Sequence, residues 1–245
     1  MPEAIEWNEL VREENRFYSP NANKRRQIKI PTHIVLHITG TDDLASVKQT
    51  FLNQHSVSSH YLISKQGELF QFVPDSMRAY HAGIDSNTRK LYQKGRTEWQ
   101  KYLKYFNWYK KYPKDSLFFD NDLKAVWDKS EAFYVGKCDS SIWSLYDYFN
   151  CRWPGLDSPV NFVSDMDPNN YSIGIEILGY GSKNEDDKFY TPAMYASLQT
   201  LLKNLSEKYS IPLEKGRVVG HEDVNPVPRF GWDPNQGFNW SLVCK

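Results

Sequence analysis

The sequence predicts an α/β protein, with short strands and helices along the chain, interrupted by a mostly helical, aromatic-rich insertion. Three observations carry that prediction. Short apolar runs with a period of two, Ile34-Val35-Leu36-His37 and Ile173-Gly174-Ile175-Glu176-Ile177, read as strands. The segments 44–54 and 191–209 instead repeat their apolar residues at helical spacing. Between them, Trp99 to Trp153 holds 17 of the chain's 37 aromatic residues, enough for a small core of its own.

In chain order, residues 1–29 are polar and read as an N-terminal arm over the surface, with Ser19-Pro20-Asn21 and Lys24-Arg25-Arg26 as loop. Residues 30–245 form the main domain, interrupted at about 85–165. In the strand 33–38, Ile34, Leu36 and Ile38 alternate with His33, Val35 and His37, so both histidines share a face. Asp43 caps the helix over 44–54, whose stripe is Leu44, Val47, Phe51 and Leu52. A hairpin follows: Ser59–Ser64 and Glu68–Val73 flank Lys65-Gln66-Gly67, where glycine supplies the positive φ. Within the insertion, Trp99, Tyr102, Leu103, Phe106 and Tyr109 fall at helical spacing, as do Ile142, Leu145, Tyr146 and Phe149. Those aromatics form a core, or a few stay exposed to stack on sugar rings. The strand 172–178 points Ile173, Ile175 and Ile177 one way and Gly174 and Glu176 the other. Thr191 caps the last long helix, Pro192 suits its first turn, and Leu198, Leu201, Leu202 and Leu205 make its buried stripe. Arg217-Val218-Val219 is a short strand that delivers His221, and the proline-rich tail beyond reads as coil.

Composition excludes several classes. Thirty basic and thirty acidic residues cancel, so nothing draws the chain in bulk to nucleic acid or an anionic membrane. No apolar run nears the roughly 20 residues of a membrane span, and Met1 to Arg16 has no signal-peptide core. No cysteine pair has the spacing of a zinc knuckle. Cys138 and Cys151 suit a disulfide if the protein is exported and inert thiols if it is not.

Three scattered residues suggest one metal site. His221 and Asp233 lie twelve positions apart, and His37 ends the first strand. Two imidazoles and a carboxylate leave a tetrahedral zinc one open corner, the arrangement of a hydrolytic site. His33 is four residues from His37 on the same strand, about 13 Å away, too far to share an ion. Taken alone, His37 is equally a structural histidine. Glu176 sits in so apolar a strand that it needs a partner. It is either a salt-bridged residue or a general base beside the metal.

The ordered set Ile34–His37, Val57–Ile63, Tyr80-His81-Ala82-Gly83, Asn170–Glu176, Val219–Val224, Asp233-Pro234 and Phe238-Asn239-Trp240 resembles the zinc-dependent N-acetylmuramoyl-L-alanine amidases of the type-2 class. That family is related to T7-type lysozyme and the peptidoglycan recognition proteins. The resemblance covers roughly 30–84 and 168–241. It implies a mixed central β-sheet flanked by helices, one Zn²⁺ per chain on His37, His221 and Asp233, and Glu176 as the catalytic acid/base. His81, Asn170 and Arg229 would face the substrate, peptidoglycan or a muropeptide, whose muramoyl–L-alanine amide would be hydrolysed. The further expectations are a monomer, no nucleic-acid partner given the zero net charge, and a place in the cell envelope, the periplasm or outside the cell, or in cytoplasmic recycling.

Two features depart from the pattern. Many members carry a lysine two residues before the last ligand, where this chain has Gly231, and the charge would have to come from Arg229. The insertion is long enough to extend or cover a cleft. Two rival readings stand beside the amidase: a non-catalytic peptidoglycan-binding module on the same fold, and another zinc amide hydrolase or peptidase. The second lacks an HExxH helix.

Overall fold

Two apolar runs form the centre of the sheet because each buries both faces, as parallel strands do. The structure, a computed structural model, describes residues 5–25, 30–83, 168–180, 190–214, 217–225, 229, 232–235 and 237–244. The expected helical insertion, Cys138 and Cys151 with their candidate disulfide, and Gly231 lie outside the described residues. The strands are β1 Ala22–Lys24, β2 His33–Ile38, β3 Tyr61–Ile63, β4 Leu69–Gln71, β5 Met77–Ala79, β6 Ser172–Ile177 and β7 Val218–Gly220. The helices are α1 Leu44–Leu52, α2 Pro192–Tyr209 and the single turn α3 His221–Val224. The main sheet has the order β4-β3-β6-β2-β7, with β4 alone antiparallel to its neighbour, and β1 pairs separately with β5. The sheet is therefore mixed, as expected.

One face of the sheet makes the core. Ile34, Leu36, Ile38, Ile173, Ile175 and Ile177 join Met194, Leu198, Leu201, Leu202 and Leu205 of α2 in one apolar cluster. Each such side chain contributes about 1.5–3 kcal/mol by leaving water. Thr191 caps α2 by accepting from the Met194 N–H, and Ser210 ends it at φ 55°. Asp43 caps α1 through the N–H groups of Ala45 and Ser46, and Val47 and Phe51 face inward. Leu52, expected on that stripe, is exposed. It sits one residue past Phe51, a turn of about 100° around the axis, and the helix stops there. The hairpin pairs Ile63 with Leu69, and Gly67 has φ 78°. Gly67 is also a close approach, since a Cβ there would lie 2.6 Å from the Ala193 carbonyl oxygen of α2.

The N-terminal segment is not a loose arm. Val11 is fully buried in the core, and Asn8, Asn15, Ser19 and Asn21 are buried as well. The Asn8 amide donates to Tyr61 Oη and Asn204 Oδ1, and Asn21 Nδ2 donates to the Asn53 carbonyl at 2.7 Å. Lys24 belongs to β1 rather than to a loop. A polar sequence hides this packing because its buried groups are satisfied by hydrogen bonds rather than by apolar contact. The tail is likewise tied down: Phe238 packs against Tyr190, Tyr195 and Trp240, and Trp240–Leu242 form a 3-10 turn.

Val11→Ala should cost about 2 kcal/mol, from the two lost methyl groups plus the cavity they leave. Urea unfolding monitored by fluorescence checks this; a loss under about 0.5 kcal/mol would mean the segment is not part of the cooperative core.

Candidate metal centre

Strand direction assembles the site. β6, β2 and β7 run parallel, so their carboxyl ends open on one edge, where such sheets bind ligands. His37 and Glu176 are direct partners in the β2–β6 register and share the face opposite the core. His221 follows β7 at once. Asp233 comes from the tail: its Oδ1 accepts the Ile38 N–H at 3.0 Å, and its carbonyl accepts the Glu222 N–H at 2.9 Å. The Asp233–Pro234 peptide is cis.

These contacts bring His37, His221 and Asp233 together. His221 Nδ1 is 3.1 Å from Asp233 Oδ2, and His37 Nδ1 is 3.8 Å from Oδ1. One candidate ligand atom from each residue lies within 4.8 Å of the other two, and all three residues are buried. The far nitrogen of His221 is taken up: Nε2 lies 3.2 Å from the Gly83 carbonyl, to which it donates. His33 stays outside the cluster, at the other end of β2 beside Thr32.

The cluster forms the floor of a cleft of about 290 Å³ that Glu176, Val57, Arg229 and Trp232 help to line. Glu176 as a residue is half-buried, but its Oε2 is shut from water and has no hydrogen-bond partner among the described residues. Burial pushes its carboxyl up to about 8, Asp233 adds to the rise, and Arg229 opposes it. Burial also works against ionising Asp233, yet the imidazoles of His221 and His37 hold that carboxyl below the usual range. Two imidazoles and a carboxylate with ligand atoms within 4.8 Å of one another suit a divalent cation, whose charge would favour the ionised form of Asp233 and of Glu176 on the same cleft.

The expected substrate residues separate. Arg229 faces the cleft, with Nη1 3.2 Å from Asp233 Oδ2 and its guanidinium 4.6 Å from the centre of the Trp232 ring. His81 borders the cleft but is buried, and both its ring nitrogens are engaged: Nδ1 lies 3.0 Å from His37 Nε2 and Nε2 3.2 Å from Ser172 Oγ. It supports His37 from behind while bordering the cleft. Asn170 is completely buried, with its carbonyl accepting from Arg25, so it shapes the turn before β6 instead of the cleft.

Sequence reasoning missed several supports. Gly174 leaves room for His81, since a Cβ there would lie 2.6 Å from Nδ1 and 2.8 Å from Cδ2 of that ring. Asn169 Oδ1 accepts the N–H groups of His81 and Ala82. Arg25, read as loop, donates to the carbonyls of Asp75, Asn169, Asn170 and Ser172. His60 is fully buried; its Nδ1 accepts the Gly174 N–H, so its Nε2 donates to the Met77 carbonyl. The glycine opposite an alternating strand was the one visible sign of this packing.

Residues 25–236 match the family described as N-acetylmuramoyl-L-alanine amidase. Over 80 residues the chain is 35% identical to the 1,6-anhydro-N-acetylmuramyl-L-alanine amidase AmpD of Haemophilus influenzae, a stretch that is 33% of this chain and 39% of that relative. A crystal structure of a selenomethionine AmpD derivative superposes with a TM-score of 0.51 at 19% identity, over 96% of this chain and 93% of that one, and so shares the fold.

Burial lowers His37 to about 4 despite Asp233, and lowers His60 to about 3 with Arg25 adding to the effect. His81 is lowered well below its ordinary value for the same reason. These rings stay neutral in the fold where the unfolded chain takes up protons, so the unfolded state binds more protons below the ordinary value of 6.5. The melting temperature of metal-free protein should therefore fall as pH drops from about 6.5 to about 5, before most carboxylates titrate. Glu176, raised to about 8, holds a proton in the fold that the unfolded chain lacks and offsets about one ring's share of the loss, so a profile that rises as pH drops would mean the rings are not held neutral by the fold.

Proposed function

The chain belongs to the N-acetylmuramoyl-L-alanine amidase family, and from that premise we propose that it hydrolyses the amide between N-acetylmuramic acid and L-alanine in peptidoglycan or its fragments, with one Zn²⁺ held by His37, His221 and Asp233. The observation that carries the proposal is the buried cluster of these three side chains on the floor of a cleft, with ligand atoms within 4.8 Å of one another. When bound there, zinc supplies Lewis acidity and lowers the pKa of a coordinated water to about 7. His37 and His221 would offer ring nitrogens, and Asp233 would offer the negative charge. Glu176 opens on the same cleft and is the group able to take a proton from water and return it to the leaving amine. Its isolated carboxyl is pushed up to about 8, and a cation held by His37, His221 and Asp233 would favour its ionised form, the form that acts as a base at neutral pH.

Arg229 is positioned for a second task. Its guanidinium is partly exposed at the cleft, stacked on Trp232 and anchored by Asp233. From there it can donate to a carbonyl oxygen that gains charge, the role left open at Gly231. The matched relative from Haemophilus influenzae carries the anhydro sugar in its name, which makes soluble anhydromuramyl peptides the first substrates to assay. A purely binding module has no use for an orphaned carboxyl beside three ligand-type side chains, so the hydrolase is the better reading.

Elemental analysis and product mass spectrometry on a defined muropeptide test the proposal together. Wild type should carry about one zinc per chain and release the N-acetylmuramic acid sugar with its lactyl carboxyl free, together with a peptide whose N-terminus is L-alanine. His221→Ala should lose the zinc and melt at a lower temperature in zinc-containing buffer, because ion binding to the native state adds stability. Zinc content equal to wild type would refute the ligand assignment. Glu176→Gln should keep the zinc and slow turnover by about 10²–10⁴-fold. Near-normal cleavage would remove Glu176 from the mechanism.

A further inference from the structure

We propose that His81, braced by Ser172, is a positioning residue that decides which nitrogen of His37 is offered to the metal. The inference rests on the reading of His37 as a zinc ligand. Its support is the order of donors and acceptors in a short chain of side chains behind that residue.

The chain begins at a group that can only accept. The Pro168 carbonyl lies 2.7 Å from Ser172 Oγ, so the single hydroxyl proton of Ser172 points there. Ser172 Oγ then meets His81 Nε2, 3.2 Å away, as an acceptor, and Nε2 must carry a proton. A neutral His81 protonated on Nε2 has its lone pair on Nδ1. That lone pair faces His37 Nε2 at 3.0 Å, so His37 donates from Nε2. His37 is left with a lone pair on Nδ1, the atom on the Asp233 side. Reversing one link alone would set two protons or two lone pairs against each other in a buried site, and reversing the whole chain would turn the Ser172 proton away from the Pro168 carbonyl 2.7 Å away, where an unmade hydrogen bond is costly.

The surroundings hold this chain in place. Gly174 leaves the space the His81 ring occupies, since a Cβ there would strike the ring. Asn169 Oδ1 grips the backbone N–H groups of His81 and Ala82 at 3.0 and 2.8 Å. Arg25 fixes the carbonyls of Asn169, Asn170 and Ser172, each at 3.0 Å, and so fixes the turn that carries Pro168 and Ser172. Ser172 and Gly174 are alternate residues of β6 on the same face, one bonding to His81 and the other making room for it. A ligand histidine whose outer nitrogen is committed in this way has a fixed tautomer and ring orientation.

The test uses the full-length chain with two readouts, neither of them turnover. Long-range ¹H–¹⁵N spectra of the imidazoles in metal-free protein report the tautomer of His37. Competition with a chromophoric chelator reports affinity for Zn²⁺. Wild type should show His37 protonated on Nε2. His81→Phe keeps the ring volume and removes both nitrogens; it should weaken zinc binding by about 10- to 100-fold and mix the His37 tautomers. His81→Asn restores an acceptor near the lost Nδ1 and should recover most of that affinity. Ser172→Ala, a smaller change that keeps the fold if His81→Phe does not, should free His81 to flip tautomer and weaken zinc binding by several-fold, on the order of 10-fold at most. Wild-type zinc affinity with an unchanged His37 tautomer in both His81→Phe and Ser172→Ala would overturn the proposal. A wild type that binds no zinc would remove the metal reading alone. The metal-free spectra would still decide the relay, because His37 protonated on Nδ1 in wild type contradicts it.

Discussion

The site depends on one buried carboxylate. Asp233 is 1% exposed and comes from a stretch with little regular structure, so burying its charge has to be offset by partners already in place. Those partners come from every element that meets there. Ile38 at the end of β2 gives a backbone N–H, His221 after β7 gives Nδ1, and Arg229 gives a guanidinium. Each group that satisfies Asp233 is next to, or part of, the cluster itself. Satisfying the charge and building the centre are therefore the same event, and the tail is held in register by the chemistry it serves.

A single strand then divides its labour by face. On β6, Ile173, Ile175 and Ile177 enter the core, while Ser172, Gly174 and Glu176 look the other way. Ser172 bonds to His81, Gly174 leaves space for that ring, and Glu176 reaches the cleft. Because β2 runs parallel beside it, His37 falls opposite Glu176 without any further device. The period of two that makes a strand stable on one side thus spaces the functional groups on the other. The four imidazoles of His60, His81, His37 and His221 follow one another at ring separations of 5.6, 5.2 and 4.8 Å, a buried row ending at the cleft floor.

Much of this was legible in the sequence, and the limits have physical causes. The strands at 33–38 and 172–177 and the helix at 192–209 announce themselves because one face of each is apolar, and hydropathy reports burial by apolar contact. His37, His221 and Asp233 could be grouped by donor chemistry and by resemblance. Their meeting depends on strand direction and register, which single residues do not encode. Residues 5–24 were misread because Asn8, Asn15, Ser19 and Asn21 are buried through hydrogen bonds, a form of packing that leaves no apolar trace. Asn170 was misplaced for the same reason, and Arg25 lies in loop as read, but a half-buried guanidinium tied to four carbonyls looks in sequence like any surface arginine. Leu52 failed more simply, because the helix ends before its stripe completes another turn.

The most direct test of the account is anomalous diffraction at the zinc absorption edge from crystals grown with the metal. The account requires one strong peak bonded to Nδ1 of His37, Nδ1 of His221 and a carboxylate oxygen of Asp233, each at about 2.0–2.2 Å, with a further position open to the cleft. A peak coordinated elsewhere, or none at the edge with zinc in excess, would contradict it.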